Sequence, residues 1–125
     1  MLAMMLLCTT LSVSDGDSIY CDDELLRILG DGTPHETGVD TPELRTYKCK
    51  AEAEAAQSAR DRMRELISVD GVRVEDSGER DRTQTRRRLV RVWVPTPTGK
   101  RTAGSILLEE GHARQWIKGQ KIDWC

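Results

Sequence analysis

The sequence of 125 residues predicts an α+β domain built on a small β-barrel. Three observations predict this class: several short segments with strand character, one long amphipathic helix and one short apolar helix. A chain of this length has room for a single core. Charged residues make up 32% and apolar residues 38% of the chain, which is typical of a folded soluble domain and excludes disordered and fibrous classes. No apolar run is long enough to span a bilayer.

The N-terminal part of the chain is predicted to form strands. Residues 1–9 are an apolar segment that lacks the basic start and the cleavage site of a complete signal peptide. The segment is therefore either a first strand or the remnant of a signal peptide. Residues 6–14 and 18–29 have strand character, and the dipeptide Asp15-Gly16 between them is typical of a tight turn. A second break is expected at Asp22-Asp23.

The second half of the chain carries the helices. Residues 51–67 form the clearest helix, because small and apolar residues recur there at spacings of three and four. Strands are predicted at 69–75 and 89–94, and a short helix is predicted at 105–110 with Gly111 closing it. A turn is expected after the first of these strands, at Asp76-Ser77-Gly78.

The four cysteines leave the redox state and the compartment open. Cys8, Cys21, Cys49 and Cys125 are too widely spaced for a structural zinc site. They are compatible with two disulfides in any of three pairings, or with four free thiols. The chain is therefore expected to be either exported, to a periplasm or the exterior, or cytoplasmic.

The formal net charge of −2 hides a strong asymmetry along the chain. From Asp15 to Glu43 there are nine acidic residues and one arginine, and from Arg80 to Arg101 there are eight basic residues and one aspartate. An acidic segment can hold a hard cation and a basic one can hold a polyanion, so the pattern is compatible with a phosphate-handling enzyme. The alternative is a solvated surface of mixed sign.

Three stretches of the sequence carry a family resemblance. The first is Val13-Ser14-Asp15-Gly16-Asp17, and the second is Arg27-Ile28-Leu29-Gly30 followed later by Val39-Asp40-Thr41-Pro42-Glu43. The third is the short helix that ends in Gly111-His112-Ala113-Arg114. In this order, and with a long helix between the second and the third, the chain resembles the staphylococcal nuclease-like (thermonuclease) family over roughly residues 10–116.

The resemblance implies that residues 10–125 form an OB-fold, a β-barrel of about five strands with two to three packed helices. It also implies a hydrolase, a Ca²⁺-dependent phosphodiesterase or endonuclease acting on DNA and RNA, preferably single-stranded. Water would attack the phosphodiester with the help of the metal, and 3′-phosphate ends would remain. We expect a monomer that does not bind membranes.

Residue types in the three motifs suit this chemistry. Asp17 and Asp40, with the backbone carbonyl of Thr41 and several waters, would offer the oxygen-only shell that Ca²⁺ accepts. By the resemblance, Glu43 is the general base or water-orienting group, and it is ionised at neutral pH. Arg27 and Arg87 would grip the phosphate with forked hydrogen bonds. Locally, Asp17 is also compatible with a plain turn residue, and Glu43 with the first turn of a helix.

The chain departs from the family pattern in two places. The segment from Asp81 to Arg87 lacks the Tyr and Gly that usually precede the second arginine, so Arg86 or Arg88 could take the place of Arg87. A loop over residues 30–38 is inserted before the second motif, and its Thr33-Pro34-His35-Glu36 imitates that motif without a preceding Asp. Two other functions are compatible with the sequence: a non-catalytic OB-fold module that binds single-stranded nucleic acid, and a domain kept for protein contacts.

Overall fold

Short strands and two helices alternate along the chain, which confirms the predicted α+β class. The computed structural model describes residues 4–31, 38–117 and 119–125. The strands are Met4–Leu6 (β1), Leu11–Asp15 (β2), Ser18–Cys21 (β3), Glu24–Ile28 (β4), Val39–Asp40 (β5), Arg73–Arg80 (β6), Arg88–Thr96 (β7), Gly99–Thr102 (β8) and Arg114–Gln115 (β9). The helices are Lys50–Ile67 (α1) and Ala103–Glu109 (α2).

Most strands belong to one curled, mixed β-sheet with the order β1-β6-β7-β4-β3-β2. Neighbours are antiparallel except β4 and β7, which run parallel. One edge of β7 pairs with β6. Two strands pair with its other edge: β4 with the start of β7 and β8 with its end. The parallel pairing places Arg27 of β4 opposite Leu89 of β7. The end of β4 therefore lies beside the chain that enters β7.

Aliphatic side chains build the core, as expected for a chain without phenylalanine. Ile19, Leu26 and Ile28 from the sheet are fully buried, and Met63 of α1 and Leu107 of α2 are buried with them. Burial of such side chains contributes roughly 1.5–3 kcal/mol each to folding. The sheet and both helices therefore share a single hydrophobic core.

Helix α1 begins almost where the sequence predicts it. Cys49 is its N-cap, and the Cys49 Sγ accepts a hydrogen bond from the Glu52 backbone N–H at 3.4 Å. The buried stripe consists of Ala56, Ala59, Met63 and Leu66, at helical spacing. Small residues at 56 and 59 let the helix approach the β2–β3 turn closely, which is what positions the candidate site.

Helix α2 ends in a Schellman motif. The His112 N–H donates to the Leu107 carbonyl at 2.9 Å, and the Gly111 N–H donates to the Leu108 carbonyl at 3.2 Å. Gly111 has a φ of 81°, a left-handed conformation that glycine adopts without strain. The expected closing role of Gly111 is thus confirmed, with Glu110 as the cap residue that precedes it.

One prediction about the second half of the chain is wrong, and one strand there was not predicted. The turn expected at Asp76-Ser77-Gly78 lies inside β6, where the pairing register with β7 shifts between Asp76 and Arg80. A β-bulge lets a strand absorb turn-forming residues while its pairing with the partner continues. Strand β8 was not predicted, because its sequence Gly-Lys-Arg-Thr has no strand character of its own and pairs with β7 through a tight hairpin.

The cysteines form two disulfides, Cys8–Cys21 and Cys49–Cys125, with Cα–Cα distances of 5.1 and 6.2 Å. The first joins the segment after β1 to the end of β3, and the second joins the C-terminus to the N-cap of α1. No cysteine is free in the described part of the chain. In residues 4–31, 38–117 and 119–125, neither helix is long and apolar enough to cross a membrane.

Two features of the sequence fall partly or wholly outside the described residues. In the N-terminal apolar segment, Met4–Leu6 form β1, an antiparallel partner of β6, while the three residues before them are not described. Residues 32–37, which contain the imitation motif Thr33-Pro34-His35-Glu36, also lie outside the described part.

Candidate active site

The tight turn between β2 and β3 is the anchor of the site. A Cβ added at Gly16 would lie 2.9 Å from the Ala59 Cβ and 3.0 Å from the Thr41 Cγ2, so only glycine fits there. Helix α1 and the segment after β5 therefore both pack directly on this turn. As a result, the Asp17 carboxylate meets Thr41, whose backbone N–H donates to Asp17 Oδ2 at 3.4 Å.

Arg27 links the two carboxylates predicted to hold a metal. Its Nη2 lies 3.7 Å from Asp17 Oδ2 and 3.9 Å from Asp40 Oδ1, and it donates to the Val39 carbonyl at 3.1 Å. Charge-assisted hydrogen bonds usually measure about 2.7–2.9 Å, so both ion pairs are long. The structure thus brings Arg27, Asp17 and Asp40 together while leaving the guanidinium with hydrogen-bonding capacity.

The carboxylates outnumber their close positive partners. Burial, and next the charge of Asp17, raise the pKa of Asp40 to about 6, and the charge of Arg27 opposes this shift. The pKa of Asp15 and that of Glu43 are also raised, in each case first by burial and next by Asp17. We call these four residues, Asp15, Asp17, Asp40 and Glu43, the acidic cluster.

The acidic cluster offers the oxygen ligands that a hard cation prefers, but it does not provide a complete coordination shell. The carboxylates of Asp17 and Asp40 are adjacent, and the buried Oγ1 of Thr41 has no hydrogen-bond partner among the described residues. Oxygen donors of this kind suit Ca²⁺. Within the described part of the chain, however, no group of three or more His, Cys, Asp or Glu side chains could hold a metal. Protein carboxylates would thus supply only part of a Ca²⁺ shell, and water the rest.

Glu43, a member of the acidic cluster, is held in place through its backbone. Its N–H donates to Glu52 Oε2 at 3.2 Å, and the Lys48 N–H donates to Glu52 Oε1 at 2.8 Å. Glu43 is exposed overall, but partial burial of its carboxyl, and next the charges of Asp17 and Asp40, raise its pKa. The side chain therefore reaches solvent while staying in the field of the acidic cluster.

Glu52 is a residue to which the sequence analysis assigned no role. It is 4% exposed, and both of its carboxylate oxygens accept hydrogen bonds from the loop that carries Glu43. An acidic residue at the third position of a helix was the available signal, since such residues often reach back to the cap region. Here the side chain reaches further, to a loop nine residues away at Glu43.

Arg87 approaches the acidic cluster from β7. Its Nε donates to Asp81 Oδ2 at 3.1 Å and its Nη1 donates to Ser18 Oγ at 3.2 Å, while Ser18 Oγ donates to Asp17 Oδ1 at 3.1 Å. Burial acts to raise the pKa of Asp81, but hydrogen bonds from Thr83 and Arg87 outweigh it and lower that pKa. Asp81 is therefore a charged, buried anchor that directs Arg87 toward Asp17.

The neighbours of Arg87 lie elsewhere. Arg88 pairs with Glu24 at 2.8 Å and with Asp76 at 2.6 Å. Arg86 is exposed and has a left-handed φ of 45°. Of the three arginines that the sequence left open, Arg87 is the one that the structure connects to Asp17.

All six residues singled out from the sequence thus lie around one turn: Asp17, Arg27, Asp40, Thr41, Glu43 and Arg87. They come from four separate segments of the chain. Neither a family model nor a curated protein matches the chain in the comparisons with known proteins. Its function is therefore inferred from the geometry around the β2–β3 turn.

Proposed function

We propose that the protein is a Ca²⁺-dependent phosphodiesterase that hydrolyses DNA and RNA, preferably single-stranded, as an endonuclease. The observation that carries this proposal is the position of Arg27, whose Nη2 lies within 3.9 Å of both the Asp17 and the Asp40 carboxylates. An arginine held loosely between two buried or half-buried carboxylates has the charges needed to bind a phosphate beside a cation.

We also propose that the curled sheet is an OB-fold barrel. Five strands, β6, β7, β4, β3 and β2, follow one another in an unbroken hydrogen-bonded path. Helix α1 packs against β2, and α2 packs against β7 and α1. Small barrels of this kind often bind single-stranded nucleic acid on one face.

In the proposed reaction, Arg27 and Arg87 hold the scissile phosphate from two sides. Their forked donors stabilise the negative charge that accumulates on the phosphate oxygens as water attacks phosphorus. Asp17, Asp40 and an oxygen of Thr41 would hold the Ca²⁺, which when bound would neutralise further charge on the phosphate. The close pair of carboxylates supports this assignment, because together they leave a net negative charge beside Arg27.

Glu43 accepts the proton of the attacking water. The new bond joins the water oxygen to phosphorus, and the bond between phosphorus and the 5′ oxygen breaks. The departing 5′ oxygen takes a proton from solvent, and a 3′-phosphate end remains. Partial burial and the neighbouring carboxylates raise the pKa of Glu43, which makes it a stronger base than an ordinary carboxylate. Its exposure leaves room for water and substrate.

The alternative is an OB-fold module that binds single-stranded nucleic acid without cleaving it. One observation favours it: in the described residues, no three acidic side chains form a metal group. The presence of Glu43 together with Asp17 and Asp40 favours catalysis, because binding alone needs no such carboxylates.

The test is incubation of the protein with single-stranded DNA and Ca²⁺, with and without EDTA. Cleavage that EDTA abolishes, with products that can be extended only after phosphatase treatment, is expected for the phosphodiesterase. Retention of the strand without cleavage supports the binding module. A protein that neither binds nor cleaves contradicts both functions and favours a domain for protein contacts.

A further inference from the structure

The loop between β5 and α1 carries Glu43 and contains neither strand nor helix. At its start, Thr41 is buried and its N–H donates to Asp17 Oδ2 at 3.4 Å. At its end, Cys49 is the N-cap of α1, and residues 45–48 before it are exposed. Between these two fixed ends, the position of Glu43 depends on the groups that bind the backbone of the loop.

One buried carboxylate, that of Glu52, binds the loop backbone at two points. Its Oε2 accepts a hydrogen bond from the Glu43 N–H at 3.2 Å, and its Oε1 accepts one from the Lys48 N–H at 2.8 Å. Glu52 is 4% exposed, and burial of a carboxylate is unfavourable unless its oxygens accept hydrogen bonds. The side chain therefore joins two distant points of the loop, and the loop in turn supplies the donors that a buried carboxylate needs.

Glu52 extends from a fixed part of α1. It lies in the first turn of the helix, and its own N–H donates to the Cys49 Sγ at 3.4 Å. Cys49 is bonded to Cys125, and Ala56, one turn further along the helix, is buried. Because these contacts hold the backbone on both sides of Glu52, the two hydrogen bonds from the loop fix Glu43 relative to α1, which itself packs on the β2–β3 turn.

We propose that Glu52 is a positioning residue for Glu43, the group that accepts the proton of the attacking water. This inference rests on the proposed function. A general base must lie within hydrogen-bonding reach of the proton that it accepts, and a displacement of about 1 Å can lower a rate by about 100-fold. Since Glu52 is buried, it acts on the reaction through the backbone of Glu43 and not through a contact with substrate.

This role predicts an effect of Glu52 on turnover and not on substrate binding. Arg27 and Arg87, which hold the phosphate in the proposed reaction, have their partners on other segments of the chain. Glu52→Gln keeps the size of the side chain but replaces one acceptor oxygen by an amide donor, so one loop N–H loses its partner. At saturating Ca²⁺, kcat on single-stranded DNA should fall about tenfold while KM stays within about twofold.

The matched control is Glu54→Gln, the same substitution two residues further along α1. Glu54 is exposed and pairs with the exposed Lys50 at 3.9 Å. This variant should leave kcat and KM unchanged. A fall of kcat in Glu52→Gln alone is then due to the contacts with the loop and not to the removal of a negative charge from α1.

A double-mutant cycle separates positioning from a general structural role. In a chain that already carries Glu43→Gln, adding Glu52→Gln should lower kcat by less than about twofold, because the base that Glu52 positions is absent. A general structural role of Glu52 would instead lower kcat by the same factor in both backgrounds.

Hydrogen exchange of backbone amides measures the contact independently of activity. Glu52→Gln, and Glu52→Asp, which keeps the charge on a shorter side chain, should each speed exchange of the Glu43 and Lys48 amides by at least about fivefold. The Leu29 amide, which donates to the Val90 carbonyl at 2.8 Å, should stay unchanged and so reports that the variant is folded. If Glu52→Gln does not fold, Glu52→Asp provides the test of both exchange and rate.

The outcomes separate the positioning role from the proposed function. If Glu43→Gln cleaves slowly but both Glu52 variants cleave at the unmodified rate, the positioning role is overturned and the phosphodiesterase stands. An equal fall of kcat in the two backgrounds also overturns it, as does unchanged exchange of the Glu43 amide in both Glu52 variants. If the unmodified chain does not cleave single-stranded DNA, the proposed function and the positioning role are both overturned.

Discussion

Two regions of the molecule use arginine in opposite ways. On the outer surface of β7, Arg88 is bound to Glu24 and Asp76 at 2.8 and 2.6 Å, so its charge is matched by the protein itself. At the acidic cluster, the contacts of Arg27 with Asp17 and Asp40 measure 3.7 and 3.9 Å, and the pKa of Asp40 stays raised.

The comparison of Arg88 with Arg27 distinguishes structural charges from functional ones in this protein. On the surface of β7, charges of opposite sign satisfy one another at ordinary hydrogen-bond lengths. In the acidic cluster, carboxylates lie close together and the arginines around them keep unused donors. Such an arrangement lowers the stability of the protein without ligand, and functional sites commonly have this property.

The largest expected effect is on the chemistry of the acidic cluster. Glu43→Gln should lower the cleavage rate by about 10²- to 10⁴-fold, which is the usual contribution of a general base. The fold should be unchanged, since Glu43 is exposed and its backbone N–H still donates to Glu52. Initial rates on single-stranded DNA and a urea unfolding curve measure the two effects.

Glu54→Gln is the matched control for Glu43, because Glu54 is an exposed glutamate whose partner is the exposed Lys50. It should leave the rate unchanged. Cleavage by Glu43→Gln at close to the unmodified rate would remove Glu43 from the mechanism.

The next effect concerns stability and pH. Asp40→Asn should stabilise the metal-free protein by about 1–3 kcal/mol at pH 7, because the pKa of Asp40 is raised from 3.8 to about 6 in the folded state. The folded state binds the proton more tightly than the unfolded chain. The native carboxyl therefore loses stability as the pH rises from about 4 to 6, and the asparagine variant does not.

Urea unfolding in EDTA at pH 4, 5, 6 and 7 measures this difference. The gap between Asp40→Asn and the unmodified protein should open between pH 4 and 6 and then stay constant. If Asp40→Asn were less stable than the unmodified protein at pH 7, the Asp40 carboxylate would have enough favourable partners within the protein. The acidic cluster and the β7 surface would then not differ in how their charges are paired.

Asp81 lies next to the acidic cluster, through Arg87, but its carboxylate has hydrogen-bond partners of ordinary length, as the charges on the β7 surface do. Asp81→Asn should cost about 1–3 kcal/mol of stability, because a buried carboxylate with hydrogen bonds from Thr83 and Arg87 is removed. Its pKa is lowered in the folded state, so it stabilises the protein above its ordinary pKa of 3.8 and this contribution is lost as the pH falls below that value.

Cleavage by Asp81→Asn should fall as well, since Arg87 loses the anchor that directs it to Ser18 and Asp17. Thermal unfolding and initial rates measure the two losses. A stability loss without any loss of rate would mean that the direction of Arg87 is unimportant for the reaction.

The smallest effect on the cleavage rate is expected on the surface of β7. Arg88→Gln should cost about 1–3 kcal/mol of stability, because it leaves the Asp76 carboxylate, whose side chain is 8% exposed, without its arginine partner. The cleavage rate should not change, whereas Arg87→Gln should lower it by at least tenfold. Equal losses of rate in the two variants would contradict the assignment of Arg87 over Arg88.

Much of the fold was predictable because it depends on local patterns. The helix predicted at 51–67 was placed within one residue of α1 by its apolar spacing, and the break at Asp22-Asp23 separates β3 from β4 as expected. The turn predicted at 76–78 was wrong, since β6 continues from Arg73 to Arg80 and its register against β7 shifts between Asp76 and Arg80. Local signals could not anticipate that the next strand of the chain would pair with β6 on both sides of these residues.

The candidate site was predictable in its residue types but not in its arrangement. Carboxylates and arginines in the right order indicated a phosphate chemistry, and Arg87 was expected to hold the phosphate while Arg86 and Arg88 stayed open as alternatives. Their difference depends on Asp81 and Ser18, which hold Arg87 by hydrogen bonds at 3.1 and 3.2 Å. Glu52 was missed for the same reason, because its role comes from hydrogen bonds to the loop that carries Glu43.

The order of polar and apolar residues by itself therefore determined the α+β class, the two helices and the set of groups available for chemistry. Tertiary structure alone decided which cysteines pair, which arginine meets Asp17 and which is used on the surface, and where unpaired charge remains. The physical reason is the separation along the chain of the residues that interact. Helix periodicity and turns depend on neighbours in the chain, whereas charge pairing depends on distances that exist only after the sheet and the helices have packed around their common core.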